Sequence, residues 1–145
     1  MAVTVETLTE IDDEIVEAFG RLLPQLSQTA TRLDQEALAQ LASTESTTVL
    51  VARSGGKIVG TLSLVMFPIP SGLRARVEDV VVDDSARGQG IGAALIEEAK
   101  TRATAAGART LDLTSRASRA TANRLYERLG FRARESRVYR FAPTD

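Results

Sequence analysis

Cysteine, histidine and tryptophan are all missing from this 145-residue chain. Without cysteine there is no disulfide framework, no thiolate nucleophile and no Cys-type zinc site. Without histidine, the usual imidazole base, metal ligand and triad member are gone. Acid–base chemistry must therefore fall to Asp, Glu, Tyr, Lys, a terminus or water. No apolar run approaches the roughly 20 residues of a membrane span, and the first residues, Met1-Ala2-Val3-Thr4-Val5-Glu6, carry no basic region. A formal net charge of -1 provides no global field to recruit nucleic acid or an acidic membrane. These features predict a cytoplasmic protein with no bound metal and neither nucleic acid nor membrane as partner.

What is present fits one globular domain over residues 1–145. Val3-Thr4-Val5 predicts a first strand. Thr9 is the expected N-cap of a helix that places Ile11, Ile15, Phe19, Leu22, Leu23 and Leu26 at helical spacing. A second helix is predicted from Asp34. Thr47–Arg53 and Lys57–Phe67 read as a hairpin around Ser54-Gly55-Gly56, followed by a loop over Pro68–Gly72. A strand over Arg76–Val82 leads through a glycine-rich segment into a helix from about Gly88 to Ala106, with Gly107 as its C′ residue. Leu111–Thr114 is a short strand. A helix then starts at Ser118 or Arg119 and stops at Gly130, and Phe131 and Val138–Phe141 are expected to supply closing strands. This order predicts an α/β fold: a mixed, mostly antiparallel sheet, helices on both faces and a central right-handed βαβ crossover.

The chemistry concentrates in Val80-Val81-Val82-Asp83-Asp84-Ser85-Ala86-Arg87-Gly88-Gln89-Gly90-Ile91-Gly92-Ala93. Glycine has no Cβ, so backbone N–H groups there can closely approach a ligand oxygen. The helix that follows directs its own free N–H groups and the positive end of its dipole the same way. Such a junction is an anion site, and phosphate suits it. Arg87 adds a positive charge at its mouth. A P-loop would require Gly-Lys-Ser/Thr, which Ile91-Gly92-Ala93 does not supply. Gly88-x-Gly90-x-x-Ala93, with Asp112 about twenty residues on, satisfies a dinucleotide fingerprint. Against that reading, Asp83–Arg87 separate the strand from the first glycine, and the unit occurs once, late in the chain.

Arg87-x-x-Gly90-x-Gly92 resembles the Arg/Gln-x-x-Gly-x-Gly/Ala motif of the GNAT superfamily of N-acetyltransferases. Val77–Val82 resembles that family's fourth strand, and Asn123-Arg124-Leu125-Tyr126-Glu127-Arg128-Leu129-Gly130-Phe131 resembles its Asn…Leu-Tyr-x-x-Leu-Gly-Phe segment. The resemblance implies that acetyl-CoA is the co-substrate. It implies that the backbone of Val80, Val81 and Val82 pairs with the pantetheine arm, and that the N–H groups of Gly88, Gln89, Gly90, Ile91, Gly92 and Ala93 hold the pyrophosphate. It implies too that Asn123 bonds the pantetheine, that Tyr126 lies near the thioester sulfur, and that the central strands splay apart at the fourth strand.

Acetyl transfer to an amine requires a deprotonated amine, a donor for the developing oxyanion and, for the departing thiolate, a nearby acid. With no cysteine, direct attack in a ternary complex is the economical route. Glu78 is the first candidate base, because regular alternation would put Glu78, Val80 and Val82 on one strand face. Its structural alternatives are pairing with Arg74 or Arg76, or binding substrate without taking a proton. Asp79 and Asp112 follow as weaker candidates. Tyr126 is the candidate acid; the alternative is a core tyrosine at helical spacing with Ala122, Leu125 and Leu129. The Ser115–Arg119 loop either binds an anionic group or is simply solvated. The acceptor is expected to be a small-molecule primary amine, with a protein N-terminus or lysine as the second choice and a non-catalytic CoA-binding sensor as the rival from another class. Homodimers are common in the family, so a homodimer is one option, and the sequence leaves the oligomeric state open.

Overall fold

The computed structural model describes residues 2–144 and divides into two compact units, Met1–Thr114 and Ser115–Asp145. The first unit carries the sheet, with strands β1 (Val3–Thr7), β2 (Thr47–Ser54), β3 (Lys57–Ile69), β4 (Gly72–Val82) and β5 (Thr110–Asp112) in the spatial order β1-β2-β3-β4-β5. The pairings β1–β2, β2–β3 and β3–β4 are antiparallel, and β4–β5 is parallel. Helix α3 (Ile91–Ala105) makes the crossover between the two parallel strands. Helices α1 (Asp13–Leu26) and α2 (Gln35–Ser43) connect β1 to β2.

The sheet is covered on both faces, and its strand registers show which residues face which helix. Leu8, Ile15, Phe19, Leu22 and Leu38 bury themselves with Val49, Val51, Ile58 and Val81 in one cluster, which defines the α1–α2 face. Leu50 and Ala52 alternate to the opposite side of β2 and are also buried. Across from Ala52 lies Gly60, where an added Cβ would sit 2.9 Å from Ile91 Cγ2 and 3.2 Å from Leu95 Cδ1. That side is the α3 face. Glycine is needed at position 60 because the first turn of α3 lies against the sheet there.

Several boundaries differ from expectation for local reasons. The first helix is capped by Asp12, not Thr9: the Asp12 carboxylate accepts from Ile15 N at 3.0 Å. Pro68–Gly72 is not a free loop. β3 runs through Pro68 to Ile69 and turns over Pro70-Ser71 into β4, because long-range ladder pairing overrides proline's local preference. Helix α3 starts at Ile91, since Gly88 and Gly90 hold positive φ angles of 80° and 78° outside the helical region.

In the second unit, α4 spans Ala120–Arg128 and ends as predicted at Gly130. Gly130 has φ 97°, its N–H reaches Glu127 O at 3.1 Å, and Phe131 N reaches Tyr126 O at 3.0 Å. The expected closing strands are absent among the described residues. Val138-Tyr139-Arg140-Phe141 alternates like a strand but takes no ladder partner, and Val138, Tyr139 and Phe141 are exposed. Alternation creates only the potential for a strand; the hydrogen-bonded neighbour makes it one. No helix among the described residues is long and apolar enough to cross a membrane.

Candidate functional site

Strand β4 breaks its alternation within Glu78–Val81. Thr61 pairs with Val81 and Ser63 with Glu78, so β4 spends one more residue than β3 over this interval. Asp79 takes up the excess with φ 50°, the one positive φ at a non-glycine residue among those described. This is a β-bulge, and it reverses which face later side chains occupy. Glu78 lies across from Ser63, which lies across from Val49, placing Glu78 on the α1–α2 face. Val82 lies across from Gly60, on the α3 face. The expectation that Glu78, Val80 and Val82 share a face is therefore corrected: Glu78 shares its face with Val81.

On its other edge β4 is largely open. Pairing with β5 covers Arg74↔Thr110, Ala75↔Leu111 and Arg76↔Asp112 and goes no further. From Val77 to Val82 the β5-facing edge has no ladder partner among the described residues. Backbone N–H and C=O groups left in this way can accept an added extended segment.

The chain after β4 is braced by α1. Asp83 is buried, and its carboxylate receives the Arg21 guanidinium, Ser85 N at 3.1 Å and Ser85 Oγ at 3.0 Å. Arg21 also donates to Ile58 O at 3.2 Å. One turn further along α1, Gln25 Oε1 accepts from Asp84 N at 2.8 Å. The backbone N–H of Ser85, acting with the Arg21 guanidinium and against burial, holds the Asp83 carboxyl below its ordinary range. Arg87 is exposed and ion-paired to Asp84 at 2.9 Å.

This brace presents the glycine segment. Gly90 is the N-cap of α3 and offers no side chain; the first helical bond is Ala94 N to Gly90 O at 3.0 Å. The N–H groups of Gly88, Gln89, Gly90, Ile91, Gly92 and Ala93 have no partner among the described residues. Nothing lies within 4 Å of where a Cβ would stand at Gly88 or Gly90. Open space, unspent donors and the positive end of a fifteen-residue helix all meet here. The segment thus has the features that a pyrophosphate requires. Gly60, Arg21, Gln25 and Asp83 were not among the expected site residues. Gly60 carried a signal as a lone glycine inside a strand; Arg21 and Asp83, 62 residues apart, carried none.

Glu78 is exposed and bonded to Arg76, with Arg76 Nε to Glu78 Oε2 at 2.9 Å. Asp79 serves the bulge, and Asp112 is an exposed residue of β5. Within the second unit, Asn123 Oδ1 accepts from Ser115 Oγ at 2.5 Å and Asn123 Nδ2 donates to Arg116 O at 3.0 Å. Asn123 thus ties α4 to the Ser115–Arg119 loop. Tyr126 packs edge-on against Phe131, with ring centroids 6.1 Å apart. Its hydroxyl has no hydrogen-bond partner among the described residues.

The model of the acetyltransferase (GNAT) family matches residues 8–131. The chain belongs to this family of acetyltransferases. Glucosamine 6-phosphate N-acetyltransferase from Trypanosoma brucei brucei is 39% identical over 95 residues, covering 63% of this chain and 63% of that protein. The chain therefore matches less than two thirds of that curated relative's length. A transcriptional regulator from Bacillus halodurans C-125 has a TM-score of 0.79 at 30% identity, over 97% of this chain and 100% of the other. An aminoglycoside acetyltransferase from an uncultured soil metagenomic sample shares the GNAT fold, with a TM-score of 0.84 at 24% identity over 99% of this chain and 97% of that one.

Proposed function

We propose that the chain is an acetyl-CoA-dependent N-acetyltransferase that moves an acetyl group to a small-molecule primary amine by direct attack. The observation that carries this reading is the row of unpartnered N–H groups from Gly88 to Ala93 at the start of α3. Those groups would hold the CoA pyrophosphate, and the open edge of β4 at Val80–Val82 would take the pantetheine arm. Because the family match runs from residue 8 to 131, we treat both units as parts of one acetyltransferase domain.

Acetyl-CoA supplies the acyl group as an activated thioester. A β4 backbone N–H near the bulge is suited to the developing oxyanion, because it is fixed before the reaction begins. Glu78 takes the amine's proton directly or through water, with Arg76 fixing the carboxylate's direction. Tyr126 is assigned as the acid for the departing thiolate, on the strength of its motif and its unspent hydroxyl. Asn123 is assigned to the pantetheine and Arg87 to the phosphates; each would have to exchange an internal bond for the ligand. The acceptor assignment draws on the relative that acetylates glucosamine 6-phosphate.

The likeness to a transcriptional regulator favours one second reading, a CoA-binding protein without turnover. Two measurements separate the readings. Saturating CoA should raise the melting temperature; at a hundred times its Kd it adds about 2.7 kcal/mol of stability. An amine panel with acetyl-CoA, followed by thiol release, then tests turnover. No shift with CoA would refute both readings, whereas a shift without thiol release would establish the second.

A further inference from the structure

We infer that the acceptor carries an anionic group alongside its amine, and that Arg74 and Arg76 recognise it on the α1–α2 face of β4. This rests on the acetyltransferase reading of the same site. Arg74, Arg76 and Glu78 stand at alternate positions ahead of the bulge, so their side chains leave one face in a row. Successive members of the row are about 7 Å apart along the strand. The bulge decides this arrangement: it separates Glu78 from Val82 and joins it to the arginines.

Arg74 is held but not neutralised, whereas Arg76 is ion-paired with Glu78. Arg74 donates to Ser71 Oγ at 2.8 Å and to Thr110 Oγ1 at 3.2 Å, both neutral hydroxyls, and it has no carboxylate partner among the described residues. Arg76 donates to Thr114 Oγ1 at 3.1 Å and shares the Glu78 carboxylate. Arg109 adds a third positive charge at the same end of the strand, donating to Ser71 O at 2.7 Å. A guanidinium has five N–H donors in a planar fork, so bonds to two hydroxyls leave most of the Arg74 fork unspent for a phosphate or carboxylate. Across β3 the row meets Phe67 opposite Arg74 and Val65 opposite Arg76, both only partly buried. These give the uncharged body of a small ligand an apolar surface to lie on. With its amine at Glu78, a compact ligand would place its anion one row position away, beside Arg76 and within reach of the long Arg74 side chain. That spacing suits a compact amine such as a phosphorylated amino sugar or a short amino acid.

The test is a panel of matched pairs under saturating acetyl-CoA, followed by thiol release: glucosamine 6-phosphate against glucosamine, and β-alanine against β-alaninamide. The charged member of at least one pair should have the higher kcat/KM by tenfold or more, and the pair that shows it identifies phosphate or carboxylate. Arg74→Ala should raise KM for that member about tenfold and bring the charged-to-neutral ratio towards one. Arg74→Lys should recover part of the preference, since it restores a point charge without the fork. A CoA-induced melting shift in Arg74→Ala would show that the variant is folded. Equal kcat/KM within both pairs, a preference for the neutral members, or an undiminished preference in Arg74→Ala would overturn the inference while leaving the acetyltransferase reading intact. Binding of CoA with no turnover of either anionic amine overturns it too. Failure of the wild-type chain to bind CoA removes both.

Discussion

Arg21 in α1 and Asp83 at the end of β4 form a buried-side ion pair that fixes the entrance to the glycine segment. The pair is reinforced on both sides, by Ser85 on Asp83 and by the Ile58 carbonyl on Arg21. The segment after Asp83 therefore starts from a position set by the first helix.

The Asp83 carboxyl is held below its ordinary range in the folded chain. Its stabilising contribution is fully present above the unfolded value, near pH 3.9, and is lost as pH falls through the lower folded value. Asp83→Asn should cost about 1–3 kcal/mol at pH 7 and should flatten the acid limb of a urea-unfolding series. Glu14, lowered by its hydrogen bond from Arg53, titrates in the same direction. An acid limb unchanged in Asp83→Asn would assign the effect to carboxylates such as Glu14.

Gly60 and Gly90 should fail for different reasons when replaced. Gly60→Ala puts a methyl 2.9 Å from Ile91 Cγ2 and 3.2 Å from the Val81 carbonyl, so the first turn of α3 must move. A loss of about 1–3 kcal/mol is expected, together with weaker CoA binding by calorimetry. Gly90→Ala meets no neighbour but forces an L-residue to φ 78°, at roughly 1–2 kcal/mol. Gly90→Asn should be milder, since Asn tolerates that region. Equal damage from Ala and Asn at position 90 would mean that steric approach of the ligand, not backbone strain, sets the requirement.

The order of elements along the chain, the β2–β3 hairpin, the crossover and the glycine-rich start of α3 were legible because each rests on local patterns: β-branched runs, a Gly-Gly turn, and alternating glycines ahead of a helix. The face occupied by Glu78 was not legible, because alternation assumes one residue per rung and Asp79 breaks that count. Nothing in Val-Glu-Asp-Val marks a bulge: Asp tolerates positive φ but does not demand it. The Arg21–Asp83 brace was hidden for another reason, since pairing across 62 residues depends on the finished fold. Val138–Phe141 shows the opposite error, a pattern with no partner to complete it.

Glu78→Gln keeps the side chain's shape and removes its charge, so the bond from Arg76 weakens without opening a cavity. If Glu78 takes the amine's proton, turnover should fall most below the amine's own pKa and recover in part at high pH, where solvent deprotonates the amine. A pH-independent rise in acceptor KM alone would assign Glu78 to substrate binding.

Tyr126→Phe tests the acid with the least disturbance. The ring's edge-on contact with Phe131 is kept, and the hydroxyl removed has no partner among the described residues, so stability should change by less than about 0.5 kcal/mol. CoA affinity should be nearly retained, since the proposed phosphate contacts belong to Gly88–Ala93. Turnover should fall roughly 10²-fold, the lower end for one general acid, because a thiol of pKa near 8.5 already leaves fairly well. The defect should shrink when the acetyl donor carries a thiol of lower pKa, which requires less protonation as it departs. A residue that only positions the donor would slow every donor alike. Full activity in Tyr126→Phe would return Tyr126 to packing with Phe131 and leave protonation of the thiolate to water.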